Sequence, residues 1–326
     1  MTLGLPKRYS TVVQRQATRC CGLWSYELAA DTLDELAGIR LSHTTIGNIA
    51  NGVAGEIESK MDGNPAFRAA FQKAKGESEV YMDGTFIHVL NADGTREWRE
   101  MKVAAFIKRL LAASALPTEW ATRDLPKPSV VYAFASILGK EAFQERCNLE
   151  RRRLGVGGVS SALGDGAKWI WNIIREVFGK TDECLDIYHA LEHVSACGKA
   201  LHGDGEAFTS WLDKMRLVLL SEGFSGMERE LQSLEDELKG KSKKAKLQRA
   251  SVSSLREYLR GSAERLSYAE RLSAGRAIGS GMIEGACKNL VGRRMKQTGA
   301  CWRLEKANRM AFVCSLLYAN QWKNSH

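Results

Sequence analysis

The sequence predicts an α/β fold: a mixed sheet with helices on both faces, interrupted by an all-helical insertion and preceded by a helix-turn-helix. Three observations lead there. Strand-forming runs and amphipathic helical runs follow one another between residues 80 and 188. A strongly charged helical stretch without strand signals occupies 189–278. Two short helical patterns separated by a glycine lie upstream of both.

The bulk composition bounds the problem. A chain of 326 residues has room for one large domain with an insertion, or for two domains. Its 44 % apolar and 26 % charged residues are ordinary for a globular protein. The net charge of +9 is less ordinary, and it suits a polyanionic partner such as nucleic acid. No apolar run approaches the roughly 18 residues of a membrane span, and the N-terminal MTLGLPKRYSTVVQRQ lacks an apolar signal core. The eight cysteines are scattered, with no CxxC pair. Reduced thiols in a cytoplasmic, nucleoid-associated protein are expected, with no membrane partner.

Taken in order, residues 1–22 read as a polar, basic arm. Residues 23–61 read as two helices. The first runs from about Ser25 to Ala37 with Leu28, Leu33 and Leu36 on one stripe, and Gly38 breaks it. Ser42 is a good N-cap for a second helix starting at His43. This is the outline of a helix-turn-helix, in which His43, Thr44, Thr45 and Asn48 would open the groove-entering helix and reach base edges. A plain helical hairpin has the same outline. Residues 1–75 are expected to form this N-terminal DNA-binding region.

The segment 80–89 (VYMDGTFIHV) is a strand, Asn91-Ala92-Asp93-Gly94 a turn, and Trp98–Ile107 a second strand, together a hairpin. A third strand spans Ser129–Ser136, a helix Lys140–Arg153, a fourth strand Val159–Asp165, a helix 167–178, and a fifth strand Glu183–Tyr188. Trp169, Ile170, Ile173, Ile174 and Val177 mark the apolar side of the second of these helices. Three hairpin-linked strands followed by βα units make a mixed sheet, in the β-β-β-α-β-α-β order expected of an RNase H-like domain. The stretch 191–277 is too long for a βα connection and reads as a helical insertion, with KGKSKKAK (Lys239–Lys246) as an exposed break. Helices at about Met282–Lys296 and Arg303–Asn320 complete the core (76–190 and 278–326).

Three acids stand out by context. Asp83 sits inside an apolar strand, Asp165 ends a strand between two glycines, and Glu284 opens a helix after Gly-Ser-Gly. Adjacent strands lie about 5 Å apart, so Asp83 and Asp165 can meet if their strands are neighbours. Three convergent carboxylates are the oxygen ligands that a pair of Mg²⁺ ions needs, with Mn²⁺ able to substitute. A strand-interior Asp that merely bonds a neighbouring loop is the bland alternative.

The wording around these acids is specific. YMDGTFIHV with WREMKVAAF, GDGAKWIWNI, DIYHALEHV and IGSGMIEGACKNLVGRRMKQTGACW resemble insertion-sequence transposases of the ISKra type, DDE enzymes related to mutator-like elements. Those relatives usually carry a longer N-terminal region. The resemblance implies an RNase H-like fold with a helical insertion before the Glu, and a metal-binding triad at Asp83, Asp165 and Glu284. It implies cleavage of element ends and their joining to target DNA, with terminal repeats and target DNA as partners and a homodimer or larger assembly on DNA. Within Asp186-x-x-His189 it gives His189 an active-site role.

Other residues carry weaker expectations. Lys288, Arg293, Arg294 and Lys296 follow Glu284 and are candidate phosphate contacts; a solvated helix end is the alternative. Trp302, Trp169 and Trp171 could stack on exposed bases, although tryptophans of such helices usually pack in the core. His189, His193 and Cys197 share a helix face at Zn²⁺-like spacing but lack a fourth ligand. Two rival readings remain open: a non-catalytic DNA-binding protein of transposon origin, and a structure-selective nuclease on the same fold.

Overall fold

In this computed structural model, residues 9–60 and 65–322 are described; the start of the expected arm, 1–8, lies outside the described residues, as do 61–64 and 323–326. Helices α1 (Thr11–Leu23), α2 (Tyr26–Ala37), α3 (His43–Lys60) and α4 (Pro65–Lys73) come first. Ser10, Ser25 and Ser42 precede the first three, and each Oγ accepts the backbone N–H three residues on, at 3.1–3.3 Å. Side-chain acceptors there satisfy amides that have no partner within the helix. Gly38 ends α2 at φ 61, a left-handed conformation that costs other residues more.

Two sequence expectations change here. The stretch read as a basic arm is largely α1, which buries Ala17, Thr18 and Cys21. In α2 the stripe is displaced: Leu33 is buried as expected, but Leu28 and Leu36 are 51 % and 81 % exposed, and Ala29 is buried in their place. Ala29 lets a neighbouring helix approach closely, so the i, i+4 pair that includes it turns inward.

Five strands form one mixed sheet in the order β3-β2-β1-β4-β5. They are β1 (Glu77–Leu90), β2 (Arg96–Arg109), β3 (Val130–Ser136), β4 (Ser161–Gly164) and β5 (Asp182–Leu185). The first three pair antiparallel; β1 with β4 and β4 with β5 pair parallel. The expected turn closes the β1–β2 hairpin: the Asn91 N–H donates to Thr95 O at 2.9 Å, Thr95 N–H donates to Asp93 Oδ1, and Gly94 sits at φ 85. The fifth strand is shorter than expected, because Asp186 caps the next helix by accepting the Tyr188 N–H at 2.8 Å.

Partners opposite each other across a ladder share a face. Phe106 with Tyr132 and Met82 with Ala104 therefore belong to one face, and Asp83 with Val103 and Ala105 with Ala133 to the other. Helices α5 (Lys140–Leu154) and α6 (Lys168–Phe178) cover the first, through contacts such as Phe143 on Phe134 and Phe178 on Phe106. The second, lined by small residues, receives α11 (Gly281–Ala286) and the last helix, α13 (Leu304–Tyr318). The helix expected over 282–296 is not continuous. A π-helical turn, Cys287–Gly292, separates α11 from α12 (Arg293–Met295). Such turns bulge a helix and recur at functional sites.

The insertion is helical as expected. After α7 (Ile187–His202) come α8 (Glu206–Glu237), α9 (Lys243–Arg260) and the short α10 (Tyr268–Ser273). Helices α7, α8 and α9 pack on one another, and Arg256 bridges Glu228 and Glu235 between α8 and α9. The KGKSKKAK break is real: α8 ends at Glu237, and Ser242 caps α9. The returning chain is fastened to the start of β5 by buried Arg271, on Asp182 and Ser161, and by Arg276 on Asp182. The N-terminal helices share the core rather than standing apart. Helices α1 and α3 pack on α13, Arg309 donates to Asn51 O at 3.0 Å, and Arg146 of α5 pairs with Glu58 of α3. Among the described residues no helix is long and apolar enough to cross a membrane.

Candidate active site

The sheet register builds the site. Met82, Gly164 and Leu185 lie side by side on β1, β4 and β5. Each is followed by an aspartate: Asp83, Asp165 and Asp186. Three carboxylates thus form a row at one level of three adjacent parallel strands. Gly164 is needed at its place, since a Cβ there would lie 2.8 Å from the Ile170 side chain of α6.

Asp83, Asp165 and His189, all half-buried, bring one ligand atom each to within 4.8 Å of one another. Local hydrogen bonds aim the carboxylates. Asp83 Oδ1 accepts the Gly84 N–H at 2.6 Å, and Asp165 Oδ1 accepts the Ala167 N–H at 2.8 Å. His189 stands on the first turn of α7, with Nδ1 3.5 Å from Glu192. Burial raises the pKa of Asp83, and the nearby Asp165 charge adds to the rise; the Gly84 N–H and His189 oppose it. A raised acid beside a second acid is an electrostatic arrangement that a cation relieves. Two carboxylates and an imidazole this close fit a divalent ion.

Glu284 lines the same cleft, of about 420 Å³, together with Asp83, Asp186, His189, Ser280, Cys287 and Lys296. It is not brought into the close group. Its side chain is 65 % exposed and pairs with Lys288 at 2.7 Å, one helical turn on. Asp186 is committed elsewhere: buried, it holds the Tyr188 N–H and Ser280 Oγ, which ties β5 to the start of α11. Burial raises its pKa, against those bonds.

The expected nucleic-acid contacts divide. Lys288 and Lys296 are exposed and line the cleft, and Lys296 reaches Thr85. Arg293 is exposed but lines a different pocket, with Gly22, Leu23 and Tyr318. Arg294 is not available. It is 3 % exposed, donates to Cys21 O at 2.6 Å, and lies between the rings of Tyr26 and Trp302, 4.6 and 4.7 Å from their centroids. Trp302 is likewise buried, and its backbone runs beside the end of β1, bonded to His88 and Leu90. The physical reason is common to both: planar guanidinium and indole groups stack, and the stack seals α1 and α2 against the core. His43, Thr44 and Asn48 are exposed on α3, and Thr45 is half-buried with Oγ1 2.9 Å from Ser42 Oγ. Trp171 is buried and Trp169 half-buried, as core packing predicts. The His189, His193, Cys197 face makes no metal group: Cys197 is buried, and His193 stacks on Tyr258 with centroids 3.7 Å apart.

Two site residues were missed from the sequence. Cys287 donates its thiol to Asp83 Oδ2 at 3.6 Å. Its position three residues after Glu284, on the same helix face, was the available signal. Tyr258 reaches from α9 to cover the loop after Asp165, so that a Cβ on Gly166 would lie 2.8 Å from its ring. Nothing local in α9 marks it.

Compared with known proteins, the chain matches no family model, and no curated protein is significantly similar to it.

Proposed function

We propose that this protein is a metal-dependent DNA transposase with an RNase H-like catalytic core. The observation that carries the reading is the meeting of Asp83 and Asp165 on neighbouring parallel strands, with His189 beside them. The strand order 3-2-1-4-5, with three antiparallel strands and two parallel additions, supports the RNase H-like assignment. The α2–turn–α3 pair, with His43, Thr44 and Asn48 exposed, supports a helix-turn-helix. The net charge of +9 fits a DNA partner.

Asp83 and Asp165 would hold a divalent cation, Mg²⁺ or Mn²⁺, with Glu284 closing on it from α11 once its pair with Lys288 is released. When bound, such ions activate a water or 3′-hydroxyl and stabilise the leaving oxygen in an in-line displacement. The chain's own contribution is positioning. The Gly84 and Ala167 N–H groups fix the carboxylates. His189 offers an imidazole N–H to a phosphate oxygen, and Lys288 and Lys296 line the approach for the strand. No covalent protein–DNA intermediate is required. Joining two element ends calls for at least a homodimer on DNA, in the cytoplasm.

The test is cleavage and joining of the native element's end DNA with and without Mg²⁺, for the wild type, Asp83→Asn and Glu284→Gln. Cutting and joining by the wild type, with both variants binding DNA but not cutting, is the expected result. Binding without cutting by all three proteins would replace the reading with a DNA-binding scaffold. Cutting of branched DNA without joining would make the protein a structure-selective nuclease.

A further inference from the structure

The outer half of the β1–β2 hairpin carries an open strand edge. On the side away from β1, β3 pairs with β2 only over residues 102–108. Among the described residues, 96–101 have no strand partner on that side, and Arg96, Glu97, Trp98 and Arg99 are exposed. The edge is phased for pairing. Trp302 bonds the backbone of His88 and Leu90 from the far side of β1, so these two residues turn their backbone groups away from β2. Their partners across the ladder, Trp98 and Arg96, therefore point their own N–H and C=O outward, and Glu100 does so in the same phase. Lys108, also in that phase, accepts the Ser129 N–H beside β3. We propose that the 96–100 edge of β2 pairs antiparallel with the same edge of a second copy of this chain, about a two-fold axis at Trp98.

The order of charges selects both partner and register. The segment Arg-Glu-Trp-Arg-Glu is its own charge complement when reversed. With Trp98 opposite the partner's Trp98, Arg96 faces the partner's Glu100 and Glu97 faces the partner's Arg99, opposite charges at each pair. Moving the axis to Glu97 sets glutamate against glutamate, and moving it to Arg99 sets arginine against arginine. Like charges directly opposite are destabilising, so both slips are disfavoured. Within one chain Arg99 already holds Glu97 at 2.7 Å. Such an exposed pair is worth little alone, and the carboxylate keeps lone pairs for the partner's arginine. Apolar surface adds to the pairing. Trp98 and Phe86 are exposed, and His88 stacks on Trp98 with ring centroids 5.2 Å apart. Opposite residues of a ladder share a face, so the two Trp98 rings meet and cover each other. The contact is isologous and closes at two copies. From Lys102 onward β3 occupies the edge, which confines the pairing to this segment. So short an interface makes the dimer weak and concentration-dependent.

This surface rests on the hairpin alone and needs neither metal nor DNA. Sedimentation velocity of the full chain without DNA, from about 1 µM to about 1 mM, spans the range of a weak interface. The wild type should pass from monomer to dimer and stop there. Glu97→Arg and Arg99→Glu should each weaken dimerisation at least about tenfold, since each sets like charges opposite twice. Mixed in equal amounts, the two variants should dimerise again, because every charge then meets its opposite. A wild type that stays monomeric throughout overturns the pairing. Unchanged dimerisation of either single variant does so too, by placing the interface elsewhere, as does a mixture of folded variants that fails to recover. Trp98→Cys reads the register independently of charge, should a charge variant fail to fold. Opposite Cα atoms of a hydrogen-bonded pair lie about 5.5 Å apart, within disulfide reach, so mild oxidation should link two copies at position 98. No link there, by mass mapping, overturns the pairing. Failure of this pairing leaves Mg²⁺-dependent cleavage standing as a reading, and a dimer that cuts no DNA removes only the proposed function.

Discussion

Asp83→Asn should make the metal-free protein more stable and the metal-bound protein less stable than the wild type. Asp83 and Asp165 face each other with ligand atoms no more than 4.8 Å apart. Two unit charges at that spacing repel by about 3 kcal/mol at an effective dielectric near 20. Both groups are half-exposed, and salt screening brings the repulsion down to about 1 kcal/mol. An asparagine keeps an oxygen for the Gly84 N–H and removes the repulsion. A gain of about 1 kcal/mol corresponds to roughly 2 °C in Tm for a chain of this size. In Mg²⁺ at a hundredfold excess over Kd, the wild type should gain about 2.7 kcal/mol and the variant almost nothing, so the order of stabilities reverses. The pH dependence has a definite sign. The Asp83 pKa is raised in the fold, so its protonated form contributes stability that is present below the unfolded pKa of about 4 and is lost as pH rises through the folded value. The metal-free advantage of the variant should therefore open as pH rises from about 4 towards neutrality. Thermal melts of both proteins, with EDTA and with Mg²⁺, across that range are the assay. A variant less stable than the wild type in EDTA at neutral pH, or one stabilised equally by Mg²⁺, would refute the reasoning.

Three further outcomes are expected. Arg294→Ala should cost about 2–4 kcal/mol, because it removes a buried hydrogen bond and a cation held between two rings; the drop in Tm measures it. Lys296→Ala should instead leave stability within about 0.5 kcal/mol of the wild type and lower the salt dependence of DNA binding by about one counterion, which a fluorescence-anisotropy series in increasing salt would read. Gly223→Ala, at the kink of α8, should destabilise by about 1–3 kcal/mol, since φ is 58 and a Cβ would lie 2.6 Å from Leu266 O; faster limited proteolysis of the insertion would register it.

Much of the architecture was legible in order. The hairpin with its Asn-Ala-Asp-Gly turn, the βα units and the helical insertion were all expected, because period, caps and turn residues act within a few positions. The misplacements share a cause. Apolar spacing puts Leu28, Leu33 and Leu36 on one stripe of α2, but packing buries only Leu33 of the three and turns Ala29 inward beside it. The fifth strand was drawn through Asp186 because its strand-forming neighbours outweighed a cap whose partner lies just beyond it.

By itself the sequence determined that Asp83 would stand inside a strand and Asp165 at the exit of one, which the structure ends at Gly164, each with little local polar company. It could not determine that β1 and β4 are neighbours, a pairing between residues about eighty positions apart that depends on how the whole sheet orders itself. Only tertiary structure decided that Arg294 and Trp302 seal the N-terminal helices against the core while Lys296 stays in the cleft. It also left Glu284 on Lys288 and set Cys287 on Asp83. The physical reason is that side-chain type fixes which interactions a residue can make, whereas burial and long-range pairing select among them.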